Sequence, residues 1–384
     1  MRIRAGVLYD GTLAQPRRNA DIIIKDGTIA RIEDASGECD RQAACVTPGL
    51  VNAHAHFEMN GEADTVAALR ALSPMQRLLH AVENARKALR AGVTTARDLG
   101  ASENISIELR DAIDQGRVPG PRMRAAGRVL CMTGGHGWFV GRAVDGPWEM
   151  RKAVREERHN GADCIKLIAT GGVLTKGAIP GLAQLTLEEM SAACEEAQRQ
   201  SLRVGAHAIG TEGIKNALRA GVDSIEHGHM LDDEAITLFK ERDAYLVPTL
   251  SAPTCILEHA EGGEQPDFVI TKARDVNEHM MRNIRRAFEA GVKVAGGSDA
   301  GTPFNRHEDY PREVLLMHEL LGMTAQQALH AATHVAAELI GLHRGVLQPG
   351  EAADFLLLDR DVAEDLRTLQ RPIEVFKDGR PAAA

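Results

Sequence analysis

The sequence predicts an α/β chain: a (β/α)8 barrel with a small β-sandwich domain assembled from both chain termini. Three observations carry this. Amphipathic helical stretches alternate with short apolar strands from about Leu50 to Leu342, about eight such strands are present, and the two chain ends instead alternate apolar and polar residues. The first two patterns are those of a parallel barrel with helical crossovers, and the third is that of half-buried antiparallel sheet. A doubly wound open sheet is the competing architecture, but no Gly-x-Gly-x-x-Gly turn follows the first strand. Residues 1–48 and 345–384 are assigned to the composite β domain, and 49–344 to the barrel.

At the amino end, Asp21 to Ile32 reads as two strands joined at Asp26-Gly27, a type I′ hairpin signal. The carboxyl end repeats the device, with a strand over Ala353 to Asp359 and a second Asp-Gly turn at Asp378-Gly379. Neither end has enough strands for its own core, so the two are expected to pair. Between them, Ser73 to Ala91 is helical by its apolar spacing and stops at Gly92 before the strand Val93 to Asp98. Helices over Trp148 to Asn160, Thr186 to Ser201, Thr211 to Ala220 and Asp232 to Arg242 precede strands over Cys164 to Ala169, Arg203 to His207, Val222 to His227 and Ala244 to Leu250. A helix ending at Ala290 precedes Val292 to Asp299, and strands at His54 and over Met123 to Cys131 complete the set.

Composition narrows the function. Charged residues make up 26% and hydrophobic residues 44% of 384 positions, as in a globular protein. The net charge of -9 and the lack of a basic cluster with interleaved aromatics argue against nucleic acid as a partner. No signal-peptide core or membrane-length apolar run is present, so no membrane partner and a cytoplasmic location are expected, with homo-oligomer formation left open. The six cysteines lack Cys-x-x-Cys spacing and are expected to be reduced. Cys164 shares a strand face with Lys166, but its thiolate is softer than the ligand set around it.

In Pro48-Gly49-Leu50-Val51-Asn52-Ala53-His54-Ala55-His56, alternation puts both histidines on one strand face, half of a metal site. Lys166, His207, His227 and Asp299 each fall at or near the end of another predicted strand, the rim where barrels place their chemistry. Taken singly, His207 and His227 also suit satisfied core histidines, and Asp299 a helix N-cap. Their joint occurrence at one rim is what argues for metal. Lys166, between Ile165 and Leu167, should face inward, where an ammonium is costly to desolvate. Either a buried salt bridge holds it, or its neutral amine takes up carbon dioxide to give a carbamate that bridges two metal ions.

These residues and their order resemble the amidohydrolase superfamily over essentially the whole chain. The resemblance matches His-x-His on strand one to His54 and His56, a carboxylated lysine on strand four to Lys166, histidines on strands five and six to His207 and His227, and aspartate on strand eight to Asp299. Gly134-Gly135-His136-Gly137, Thr170-Gly171-Gly172-Val173, Ile225-Glu226-His227-Gly228, Pro248-Thr249-Leu250 and Gly350-Glu351-Ala352-Ala353-Asp354-Phe355 look like the branch of imidazolonepropionase-related proteins and Xaa-Pro or Xaa-Arg/Lys dipeptidases.

Two divalent ions, zinc by the mixed imidazole and oxygen donors, would acidify a shared water and polarise a carbonyl. His54, His56 and Asp299 would hold the inner ion, and His207 and His227 the outer, with carboxylated Lys166 between them. Asp299 is the expected general base, and His136 a donor to the oxyanion or to a substrate carboxylate. Arg142, Lys176 and Arg306 are candidate clamps for a free carboxylate, each equally readable as a solvated charge. Aromatic content of 3% leans away from a nucleobase deaminase. The expected substrate is a small molecule, a dipeptide or N-acyl amino acid cleaved at its amide C–N bond. Cyclic amides or carbamate and urea-like bonds are the alternative, and a non-catalytic scaffold is a third reading.

Overall fold

The computed structural model describes residues 1–342 and 344–382. Eight parallel strands form the barrel: Leu50–Ala55, Val93–Asp98, a third in two pieces, Cys164–Ile168, Arg203–Ala208, Ser224–His227, Tyr245–Val247 and Lys293–Val294. The third strand departs from the unbroken Met123 to Cys131 run read from the sequence. Arg122–Ala125 pairs with strand two, Val129–Cys131 pairs with strand four, and Gly127, at φ 70°, breaks the ladder between them. Strand eight is also shorter than expected, because beyond Val294 the backbone leaves regular pairing. Hydrogen bonds from Ala53 N to Gly296 O, Asp299 N to His54 O and His56 N to Ala300 O nonetheless tie it to strand one and close the barrel.

The outer helices start and stop where their sequences supply partners for the free backbone groups. Ser73 caps Pro74–Arg90 in a reciprocal box with Gln76, and Thr186 caps Leu187–Arg199 in the same way with Glu189. Asp232 caps Asp233–Arg242 by accepting from Ala235 N, and Gly221, at φ 93°, ends Thr211–Ala220. Each of these helices buries an apolar face in one large core with the barrel strands.

Both termini enter a single seven-stranded sheet, in which Phe355–Leu358 pairs antiparallel with Arg41–Pro48. Asp26 and Gly27 have φ of 49° and 78°, and Asp378 and Gly379 of 50° and 68°. Two successive left-handed residues make the type I′ turn that both Asp-Gly pairs announce. The sheet curls until Ile29 exchanges backbone hydrogen bonds with Gly350 and Glu351, wrapping its faces around Ile3, Ile22, Phe355 and Phe376. The Phe355 and Phe376 rings stack at 4.5 Å with neither exposed. Phe376→Ala is therefore expected to cost about 3–5 kcal/mol, the range for emptying a buried phenylalanine site. Denaturant unfolding checks this, and a loss below about 1 kcal/mol would show that the terminal sheet does not depend on that stack.

Candidate active site

The carboxyl ends of strands one, four, five, six and eight converge on one cleft. His54 and His56 project from the end of strand one as alternation requires, and Asp299 Oδ1 lies 3.3 Å from His54 Nε2 and 3.2 Å from His56 Nε2. Each ring's other nitrogen is engaged elsewhere. His56 Nδ1 donates to Gly100 O at 2.7 Å, and His54 Nδ1 donates to Glu226 Oε2 at 2.9 Å. This leaves both Nε2 lone pairs facing the carboxylate, a geometry that fits a metal ion, and the three ligand atoms lie within 4.8 Å of one another.

His227 and His207 continue the cluster, with ring centroids 4.5 Å apart and His227 5.3 Å from His54. His227 Nδ1 meets Thr249 Oγ1 at 2.7 Å, and His207 Nε2 meets Gly171 O at 3.3 Å. Burial holds both imidazoles well below their ordinary range, in the neutral state a metal requires. Lys166 is 2% exposed, and its Nζ has no hydrogen-bond partner among the described residues. Burial, aided by the nearby Arg97 charge and opposed by Glu226 and Asp299, brings its amine down to about 8.

His136 reaches the cleft from the loop after strand three, its centroid 4.6 Å from that of His207. Its Nδ1 meets Thr175 Oγ1 at 2.8 Å, and burial lowers it to about 4. The three cations read as carboxylate clamps are not brought to the cleft. Arg142 turns outward to pair with Glu156, Lys176 is exposed on its loop, and Arg306 is exposed beside Glu62, Glu83 and Glu308. A long cationic side chain on a loop follows the nearest solvent or carboxylate, which residue type alone does not reveal.

Sequence reasoning passed over Glu226, Arg97, His229 and Thr175. Arg97 and Glu226 occupy strand positions where alternation points a side chain into the barrel, and that was the available signal for both. His229 lines the cleft two residues after His227, with Nε2 donating to Pro248 O at 3.1 Å and burial lowering it to about 4. The cleft is a concave site of the kind that receives small molecules. Apart from the polar cluster its walls are apolar: Met59, Val129, Phe139 and Ile168 on one side, and Val173, Leu174, Pro253 and Ile256 among the others.

An eight-stranded α/β barrel with these side chains gathered at the carboxyl ends of its strands is the architecture of a barrel hydrolase. The chain belongs to the Amidohydrolase family, whose sequence profile matches residues 45–382. It is 30% identical to ochratoxinase of Aspergillus niger over 423 aligned positions, covering 98% of this chain and 85% of that protein. A crystal structure of a Xaa-Pro dipeptidase with methionine bound in its active site superposes with a TM-score of 0.90 at 33% identity, covering all of this chain and 99% of the other. A prolidase complexed with N-methylphosphonate-L-proline gives a TM-score of 0.90 at 27% identity, with 99% and 98% covered. The protein is thus an amidohydrolase-family enzyme, and no helix among the described residues is long and apolar enough to cross a membrane.

On the loop carrying His136's neighbours, an added Cβ at Gly172 would lie 2.3 Å from His136 Nε2. Gly172→Ala should displace the His136 ring while leaving the barrel folded. A crystal structure of the variant showing an unmoved ring would contradict this packing.

Proposed function

We propose that the protein hydrolyses the amide C–N bond of a dipeptide or N-acyl amino acid whose flanking groups are apolar, using two divalent ions, zinc by donor type. His54, His56 and Asp299 would hold the inner ion and His207 and His227 the outer, with Lys166, as a carbamate, supplying oxygen ligands to both. The observation that carries this reading is the Lys166 amine, buried without a hydrogen-bond partner among the described residues beside a convergent imidazole and carboxylate set. An uncompensated ammonium there is costly, whereas a carbamate supplies oxygen ligands and a negative charge. The likeness to a Xaa-Pro dipeptidase supports a dipeptide-sized amide.

The bound ions supply an acidified water and polarise the scissile carbonyl. The chain's own residues do the rest. Asp299 Oδ takes up the proton released by the attacking water and passes it to the leaving nitrogen. His136, braced by Thr175, presents its second nitrogen toward the substrate oxygen. The apolar walls exclude water and receive the two substituents of the amide. Since the cleft lining, among the described residues, includes Lys166 but no arginine, side-chain apolarity rather than an ion pair is expected to set preference.

Metal analysis of protein purified without chelator tests the proposal, with about two equivalents per chain expected. Asp299→Asn should keep the fold and lower turnover by about 10²–10⁴ on a panel of apolar dipeptides and N-acyl amino acids. Lys166→Ala should lose one equivalent and most activity. Turnover of Asp299→Asn within tenfold of wild type would remove Asp299 from the chemistry, and a density map showing an unmodified Lys166 amine in metal-loaded protein would remove the bridge.

A further inference from the structure

Beneath the rim, a fully buried guanidinium and carboxylate face each other inside the barrel. Arg97 Nη2 donates to Glu226 Oε1 at 2.9 Å, and the Ser224 hydroxyl donates to the same oxygen at 2.6 Å. The other oxygen, Oε2, accepts from His54 Nδ1 at 2.9 Å. Arg97 is itself fixed, since its Nε donates to Ala53 O at 2.7 Å, one residue before His54. Glu226 and Arg97 are 0% and 1% exposed. The two oxygens of Glu226 are thus divided: one is claimed by the Arg97 guanidinium and the Ser224 hydroxyl, and one faces the histidine.

We infer that Glu226 is a positioning residue that sets the tautomer of His54, with Arg97 holding the carboxylate so that the proton stays on Nδ1 and the Nε2 lone pair stays on the metal side. This rests on the reading of His54 as a metal ligand. Imidazole carries one proton in its neutral form, so the partner of one nitrogen decides what the other can do. A carboxylate only accepts, so Glu226 holds a proton on Nδ1, while a metal ion bound at Nε2, where Asp299 Oδ1 lies 3.3 Å away, would keep that second nitrogen unprotonated. Arginine cannot deprotonate and has no acceptor, so it cannot release Oε1 without leaving its charge buried and unpaired.

The division of oxygens makes a substitution of nearly unchanged shape unusually disruptive. In Glu226→Gln only one oxygen remains, and Arg97 with Ser224 claims it. The amide NH2 then faces His54 Nδ1, which must accept, and the proton moves to Nε2, where it points at Asp299 instead of offering a lone pair. Removing the guanidinium as well reverses this. In the double variant Arg97→Met/Glu226→Gln the amide oxygen is free to turn to His54, while its NH2 donates to the Ser224 hydroxyl.

The test measures metal equivalents and affinity against a competing chelator, thermal unfolding, and the ¹⁵N signals of histidine-labelled metal-free protein. Glu226→Gln should weaken metal binding about 10–100-fold, the range for losing a partner of a ligating histidine, and move the His54 proton to Nε2. The double variant should return to within about threefold of wild-type affinity with the proton back on Nδ1. Wild-type affinity in folded Glu226→Gln, or a folded double variant as weak as the single, overturns the inference. Should Glu226→Gln fail to fold, the double variant decides alone by the same two readouts. Wild-type protein that binds no metal would defeat the proposed function, and the metal-free ¹⁵N spectra would still decide the tautomer.

Discussion

The buried Arg97–Glu226 pair is the interaction on which the geometry of the cleft depends. It joins strand two to strand six, and through His54 and Ala53 O it grips strand one. Barrel interiors are ordinarily filled by branched aliphatic side chains, and an ion pair of this kind is seldom the more stable filling. Its retention fits a role in directing hydrogen bonds, which aliphatic packing cannot do. Gly205 is part of the same arrangement. A Cβ there would lie 2.9 Å from Glu226 Oε1 and 3.1 Å from Ser224 Oγ, so strand five gives up a side chain where the pair needs the space.

Above that layer the strands end in backbone that most residues avoid. His227, Thr249 and Asp299 have φ of 74°, 49° and 59°. Non-glycine residues in this region carry strain of about 1–3 kcal/mol each, and they persist only where surroundings fix them. Here the fixing groups are visible. Asp299 N donates to His54 O, while Asn305 Nδ2 donates to both Ser298 O and Asp299 O. Gly228 N donates to Ala208 O, anchoring the turn just after His227. The left-handed step at His227 also explains how neighbours of opposite strand parity serve one site: Glu226 points into the barrel, and His227 is turned over the rim beside it.

That turn marks the boundary of what could be read from the sequence. Regular features were legible because local patterns determine them: the His54 and His56 pair, the inward Lys166, the helices beginning at Ser73 and Thr186, and both Asp-Gly hairpins. The broken third strand was not, because a strand pattern carries no signal of where its partner changes. Glu226 and Arg97 were overlooked for a different reason. Their significance is a pairing across 129 positions of chain that only the closed barrel creates. Arg142, Lys176 and Arg306 were singled out by charge and loop position, but neither property fixes the direction of a flexible side chain.

The apolar walls and the polar cluster belong to one design. Burial makes an ammonium unfavourable and brings the Lys166 amine down to about 8, which raises the share of free amine at neutral pH. Free amine is the form that combines with carbon dioxide, so the low-polarity cleft promotes the modification proposed for Lys166. The same burial keeps His207 and His227 neutral and therefore able to ligate. Replacing wall residues such as Ile168 or Val173 with polar ones would therefore alter more than substrate fit: it would weaken the conditions that prepare the lysine and the histidines, although none of those walls touches the reacting atoms.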